Sequence, residues 1–102
     1  MKAIIISEGT EPIQLVDLAK PKVSKGECLV RIKAAALNRR DQWIREGMYP
    51  DIRVGCILGS DGCGVVEEGP DEWLNKEVII NPNVDWGGNP EVQSAEYSVL
   101  GM

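Results

Sequence analysis

A chain of 102 residues provides one domain with a modest core, and its 43% hydrophobic and 26% charged residues are ordinary for a globular protein. Its formal net charge is −5 and no basic stripe runs along it, which argues against nucleic acid or an anionic membrane as a partner. The apolar runs are too short to cross a bilayer and residues 1–3 do not begin a signal peptide, so a cytoplasmic location is expected.

Histidine is absent, and the three cysteines are Cys28, Cys56 and Cys63. The absence of histidine removes the commonest general base and the commonest metal ligand together. An odd number of cysteines at irregular spacing is a poor disulfide framework, so reduced thiols are predicted. No C-x-x-C spacing supports a zinc site made from these cysteines, and thiols buried among apolar side chains are the favoured interpretation.

The first half of the chain alternates apolar runs with Gly and Pro turns. These runs predict strands over residues 2–7, 13–18 and 27–35. Asn38 is then placed to cap a short helix that runs through Arg45, and Gly47 is placed to end it.

The second half predicts a glycine-broken strand over residues 57–67 and another over residues 77–81 that Pro82 stops. Residues 83–94 are predicted to form a loop, and residues 95–102 the start of another strand or an extended loop. Several short strands with one short helix indicate a mainly β fold, either a small barrel or a sandwich.

Two polar clusters stand at the edges of apolar segments. The stretch 58–68 reads L-G-S-D-G-C-G-V-V-E-E, and its glycines permit a sharp bend that holds Ser60 and Asp61. The second cluster, N-R-R-D at residues 38–41, follows the predicted strand 27–35. This arrangement predicts one site built from both clusters.

The order and spacing of these segments resemble the N-terminal catalytic domain of the medium-chain dehydrogenase/reductase superfamily. That superfamily contains the zinc-type alcohol dehydrogenases and their zinc-free quinone oxidoreductase relatives. The resemblance covers nearly the whole chain, including M-K-A-I-I-I, A-A-A-L-N-R-R-D, W-I-R-E-G-M-Y-P, I-L-G-S-D-G-C-G-V-V-E-E-G and K-E-V-I-I-N-P-N-V-D-W-G. It implies a GroES-like, partly open β-barrel with one short helix.

The resemblance also implies roles for the polar clusters. Asn38 stands where zinc-type enzymes place a cysteine ligand, Ser60 where they place a histidine ligand, and Asp61 matches the adjacent acidic residue. Amide and hydroxyl groups are poor Zn²⁺ ligands, so no catalytic zinc is expected. In the zinc-free branch the equivalent asparagine orients the nicotinamide, and a helix cap alone is the competing interpretation of Asn38.

Three further residues of the first cluster match family positions. Arg39 matches a contact to the cofactor pyrophosphate, which suits a planar guanidinium, and a solvated surface arginine is the alternative. Arg40 falls where alcohol dehydrogenases keep a hydroxyl for proton relay, so that relay is not carried over. Asp41 matches an aspartate that braces the site, and is expected to pair with either arginine or with a backbone amide.

The candidate residues therefore fall into two groups. The candidate catalytic residues are Ser60, Asp61 and Asp41, the candidate cofactor-binding residues are Asn38 and Arg39, and no metal ligand is assigned. Among the aromatic residues, Trp43 and Tyr49 are expected near the mouth of the cleft, where they line a pocket or simply pack. Trp86, in a glycine-containing loop, is the aromatic residue that best fits a ligand contact.

Members of this superfamily carry a dinucleotide-binding Rossmann domain after the catalytic domain, and no strand followed by G-x-G-x-x-G occurs here. Residues 1–102 are therefore expected to be a GroES-like fragment truncated before its last strands. Residues 95–97 read A-E-Y, either the late signature of the family or part of an upstream loop. The upstream loop is favoured, because D-W-G-G-N-P at residues 85–90 and L-G-M at residues 100–102 fit that alignment.

The implied parent is an NAD(P)-dependent oxidoreductase that moves hydride between the cofactor and a small carbonyl, alcohol or enone. The chain alone is expected to be inactive, because the missing domain would bind most of the cofactor. An exposed sheet edge or domain interface would favour self-association of the fragment. The competing hypothesis is a non-catalytic GroES-like binding or assembly module, since a fold alone does not decide function.

Overall fold

Short extended segments dominate the structure, a computed structural model that describes residues 1–101. In chain order the elements are β1 (Lys2–Ile6), β2 (Ile13–Asp17), β3 (Leu29–Ala34), α1 (Arg39–Arg45), β4 (Cys63–Glu68), β5 (Glu77–Ile79), β6 (Asn83–Val84) and β7 (Ser98–Val99). None of the helices within residues 1–101 has the length and apolar character needed to span a membrane.

The strands form three antiparallel sheets. β1 pairs with β2, β4 lies between β3 and β5, and β6 pairs with β7. A single bridge between Ile5 and Ile57 joins the first hairpin to the segment before β4. Within residues 1–101 the strands do not close into a barrel. The predicted mainly β, partly open GroES-like fold with one short helix is thus confirmed.

The central sheet depends on one close backbone approach. Ile32 of β3 lies opposite Gly64 of β4, and the register shifts on either side of the run from Val30 to Ile32. A Cβ atom on Gly64 would lie only 2.1 Å from the carbonyl oxygen of Arg31. Only glycine allows the two strands to approach this closely.

The helix forms as the sequence predicted. Asn38 is its N-cap residue, with extended backbone angles of φ −112° and ψ 161°. At the other end, the amide of Met48 donates to the carbonyl of Trp43, which closes the last turn. The buried residues of the helix are Ile44, an apolar residue, and Asp41, the last residue of the first polar cluster.

The core is small and the molecule is open. Among residues 1–101 the buried apolar side chains are Ala3, Ile6, Ile44 and Val66. The radius of gyration is 15.0 Å, whereas a compact domain of this length has about 13 Å. The extents of 45 × 37 × 22 Å describe a flattened body that leaves much apolar surface uncovered.

Three details of the sequence prediction were wrong. The strand predicted over residues 57–67 begins only at Cys63, because Gly59 has a φ of +98° that no extended strand allows. The predicted loop 83–94 begins with β6, because β7 supplies it with a partner strand. Cys28 is exposed and the other two cysteines are only half-buried, so the expectation of buried thiols was wrong, although all three are free.

The remaining predictions about elements need little change. The expected strands at residues 2–7, 13–18, 27–35 and 77–81 are present with slightly shorter bounds. β7 lies in the segment 95–102, which was predicted to begin another strand or an extended loop. Met102, the last residue of that segment, lies outside the described residues.

Candidate functional site

The two polar clusters of the sequence meet in the structure. The side-chain amide nitrogen of Asn38 donates a hydrogen bond of 2.6 Å to Oδ2 of Asp61. Ser60 precedes Asp61 in the bend between Leu58 and β4, and it borders the same cavity as both residues. The start of α1 and the bend before β4 therefore lie together, as the sequence predicted, and their action as one functional site stays a prediction.

Asp41 braces this junction from within. Its Oδ2 accepts the backbone N–H of Asn38 at 2.9 Å, and its Oδ1 accepts that of Gly59 at 3.2 Å. The side chain is only 7% exposed, and a carboxylate so deeply buried needs such donors. The expected pairing of Asp41 with a backbone amide is observed, and it connects the helix to the bend.

A cavity of about 610 Å³ opens beside these groups. It lies between β1, the segment before α1, the helix itself and the bend before β4. Its apolar wall is formed by Met1, Ala3, Ile4, Ile13, Ile32, Ala35, Ala36, Leu37, Ile57, Leu58, Ile80 and Leu100. Asn38, Asp41, Ser60 and Asp61 supply polar groups at one part of this wall.

Two residues of the wall were missed from the sequence. Gln42 and Arg45 border the cavity together with Asn38 and Asp41. These positions are spaced by three and four residues, and such spacing places side chains on one helix face. Continuing the face of the predicted helix beyond Asp41 would have identified both residues.

Several candidates lie elsewhere. Arg39 is exposed, does not border the cavity, and has no ion-pair partner within residues 1–101. Trp43 and Tyr49, expected at the cleft mouth, do not border the cavity either. Trp86 packs edge-to-face on Tyr97, with ring centroids 5.2 Å apart, in a loop away from the cavity.

Arg40, to which the sequence assigned no role, is largely buried behind the site, with 14% of its side chain exposed. Its Nη2 donates to the carbonyl oxygen of Gly101 at 3.2 Å, and its guanidinium lies over the ring of Tyr49, 5.0 Å from the centroid. Nη1 lies 3.9 Å from Oδ1 of Asp41, too far for a hydrogen bond. Within residues 1–101, Nε and Nη1 have no hydrogen-bond partner.

Two of the four polar side chains at the site do not suit zinc. Asn38 and Ser60 offer a neutral amide and a hydroxyl, whereas Zn²⁺ in proteins is held by thiolate, imidazole and carboxylate. Within residues 1–101 no group of three or more Cys, Asp or Glu side chains is arranged to hold a metal ion. The expectation that the site works without zinc stays a prediction.

Comparison with known proteins places this fold among oxidoreductases. Residues 24–101 match the model of the alcohol dehydrogenase GroES-like domain. A zinc-type alcohol dehydrogenase-like protein of Leptosphaeria maculans is 40% identical over 87 residues, which cover 78% of this chain and 24% of that protein.

Two solved structures resemble the chain in three dimensions. A crystal structure of an NAD-dependent alcohol dehydrogenase matches with a TM-score of 0.79 and 32% identity, covering 99% of this chain and 33% of the other. The quinone oxidoreductase of Thermus thermophilus, whose structure includes a complex with NADPH, matches with a TM-score of 0.57 and 37% identity. That match covers 66% of this chain and 23% of the quinone oxidoreductase. The chain thus spans 23% to 33% of the length of these three proteins.

Proposed function

The chain belongs to the alcohol dehydrogenase GroES-like domain family, and on that premise we propose that it forms the catalytic domain of an NAD(P)-dependent oxidoreductase. The reaction moves hydride between the nicotinamide cofactor and a small carbonyl, alcohol or enone. The observation that carries the proposal is the meeting of Asn38, Ser60 and Asp61 beside a large apolar cavity. Such a cavity with a few convergent polar groups is typical of a small-molecule site.

The donors and acceptors fit a nicotinamide ring. When bound, the cofactor carries the hydride, so the protein has to supply orientation and electrostatics. The Asn38 amide, held toward Asp61, has both a donor and an acceptor for the carboxamide of the ring. Arg39 is exposed beside it and is free to bind the pyrophosphate as a bidentate donor.

The bend before β4 acts on the substrate. The hydroxyl of Ser60 donates a hydrogen bond to the substrate oxygen. The side chain of Asp61 lies beside it and gives up or accepts the proton that this oxygen gains or loses. Asp41 keeps these groups in register by accepting backbone N–H groups from both sides of the site. No zinc takes part, because Asn38 and Ser60 are neutral groups that bind it poorly.

We also propose that residues 1–102 belong to a longer protein in which a Rossmann domain covers the cavity. Six large apolar residues on the cavity wall are exposed, namely Met1, Ile4, Ile32, Leu37, Ile57 and Leu100, and Leu37 reaches 86% exposure. A soluble monomer rarely leaves such a patch open. The domain alone is expected to be inactive, and to associate with itself through this surface or through the outer edge of β5.

Nicotinamide mononucleotide and adenosine monophosphate, titrated separately into the ¹⁵N-labelled chain, test the proposal. The nicotinamide nucleotide should shift the resonances of Asn38, Arg39, Ser60 and Asp61. Adenosine monophosphate should leave Asn38, Ser60 and Asp61 unchanged, because the adenine end belongs to the second domain, and its phosphate should affect Arg39 alone. Millimolar nucleotide is needed, because half a site supplies little binding energy.

Two outcomes would contradict this proposal. If neither nucleotide shifts these four resonances, a non-catalytic GroES-like module becomes the better interpretation. If the 102-residue chain alone turns over NADH or NADPH steadily, a second domain is not required.

A further inference from the structure

We propose that Arg40 is a positioning residue, which sets the separation between the two halves of the site by holding Gly101 against the bend before β4. This proposal rests on the proposed function only in identifying Asn38 and Asp61 as site residues. Arg40 does not border the cavity, so it acts through the backbone rather than on a ligand.

The first step is the contact between Arg40 and Gly101. The bond from Nη2 to the carbonyl of Gly101 joins residues 61 positions apart, and it is the only hydrogen bond of this guanidinium within residues 1–101. The ring of Tyr49 lies against the guanidinium, and Asp41 lies close by. A hydrogen bond from a cation is stronger than a neutral one, so this bond fixes where Gly101 lies.

The second step is the contact between Gly101 and Gly59. A Cβ atom on Gly101 would lie 2.6 Å from the carbonyl oxygen of Gly59 and 3.1 Å from its backbone nitrogen. Gly101 also has a φ of +84°. The two backbones are therefore packed directly against each other, so the position of Gly101 limits the positions that the bend containing Gly59 can take.

The third step returns to the helix. The amide of Gly59 donates to Asp41, the residue after Arg40, and Asp41 also binds the amide of Asn38. The contacts thus form a closed loop from Arg40 through Gly101 and Gly59 to Asp41. Ser60 and Asp61 follow Gly59 directly, so this loop of contacts sets their distance from Asn38.

Hydrogen exchange and NMR on the full chain test this role without a cofactor. Arg40→Met removes the donors but keeps an extended side chain. We expect exchange of the Gly59 amide to rise about tenfold or more, because its bond to Asp41 opens locally. The side-chain amide resonances of Asn38 should shift, whereas exchange at Val66, in the core of β4, should stay within about twofold of wild type.

Matched variants separate positioning from general stability. Arg40→Lys keeps the charge without the planar fork and should restore protection of Gly59 only in part. Arg53→Met, at an exposed arginine, should change neither readout. If Arg40→Met does not fold, Tyr49→Leu, which loosens the guanidinium from outside the site, should raise Gly59 exchange in the same selective way.

The proposal is overturned if folded Arg40→Met leaves Gly59 exchange and the Asn38 side-chain resonances unchanged. It is also overturned if exchange rises equally at Gly59 and Val66, since that pattern indicates a general loss of stability. Both readouts are independent of nucleotide binding, so a failed nucleotide titration would leave this result standing.

Discussion

The side-chain amide of Asn38 and the carboxylate of Asp61 are 2.6 Å apart, although 23 positions separate them in the chain. One residue is the N-cap of α1 and the other lies in the bend before β4. A neutral donor at residue 38 permits this contact, whereas a carboxylate there would repel Asp61. Replacing the side-chain amide of Asn38 by a carboxylate therefore tests whether this contact exists.

Asn38→Asp should make the stability of the domain depend on pH. Two carboxylates at this distance raise the pKa of one of them, so the folded state holds a proton that the unfolded state releases. The free energy of unfolding should fall, relative to wild type, as the pH rises from about 4 to 7, by about 1 kcal/mol. Urea unfolding at the two pH values measures the effect.

Asn81→Asp is the control for this variant, because Asn81 is exposed and its side chain contacts Asn83 rather than a carboxylate. Its pH dependence should match that of wild type. Equal pH dependence of the two variants would show that Asn38 and Asp61 do not meet in solution.

Asn38→Ala should lower turnover of the full-length parent more than it lowers stability. Losing the cap costs about 1 kcal/mol, whereas a misplaced nicotinamide lowers turnover roughly a hundredfold. Turnover is measured at a temperature where the variant remains folded. Asn38→Ser separates the two roles, because serine caps a helix well but has no amide for the ring. Normal turnover of the serine variant would leave Asn38 as a cap alone.

The sequence predicted those features that depend on local signals. The strand at β1 and the helix after Asn38 follow from apolar runs and end signals a few residues apart. The union of the two polar clusters was also predicted, because each cluster stands at the end of an apolar segment.

The features that the sequence did not predict depend on distant contacts. The bend itself was predicted, but its packing against Gly101 was not, and β6 exists because Ser98 and Val99 pair with it. The contact between Arg40 and Gly101 was missed for the same reason, since the two residues are far apart in the sequence. No local pattern marks a partner 61 positions away.

Gly64→Ala should destabilise the central sheet. The added Cβ would lie 2.1 Å from the carbonyl oxygen of Arg31, so β3 and β4 would have to separate. We expect a loss of about 1–3 kcal/mol in chemical unfolding. Gly88→Ala is the matched control, because no atom of residues 1–101 lies within 4 Å of its added Cβ. Equal stability of the two variants would mean that the strands do not approach so closely.

Lys20→Met should raise the pKa of Glu67. The Lys20 ammonium lies 2.9 Å from the Glu67 carboxylate, and their hydrogen bond, then their opposite charges, lower the pKa of Glu67. The stabilisation from this pair is present above the ordinary glutamate pKa and is lost as the pH falls through the lowered value. An NMR titration of the carboxyl carbon measures the shift. Lys2→Met, which removes a partner of Asp17 instead, should leave Glu67 unchanged.

Asp41→Asn should reduce stability in a way that a purely catalytic role does not predict. The buried carboxylate accepts two backbone N–H groups, one on each oxygen, and an amide presents a donor in place of one acceptor. One N–H would lose its partner, at a cost of about 1–3 kcal/mol. Chemical unfolding measures the loss, and Asp71→Asn, at an exposed position, should cost almost nothing.

Hydrogen exchange then locates the damage in Asp41→Asn. If Asp41 braces the site, the amide of Gly59 or of residue 38 loses protection, because these are the two donors that the carboxylate accepts. The parent enzyme carrying the same change should lose turnover as a consequence of that movement. Lost turnover with unchanged stability and unchanged protection at both amides would make Asp41 a residue that acts directly on the reactants.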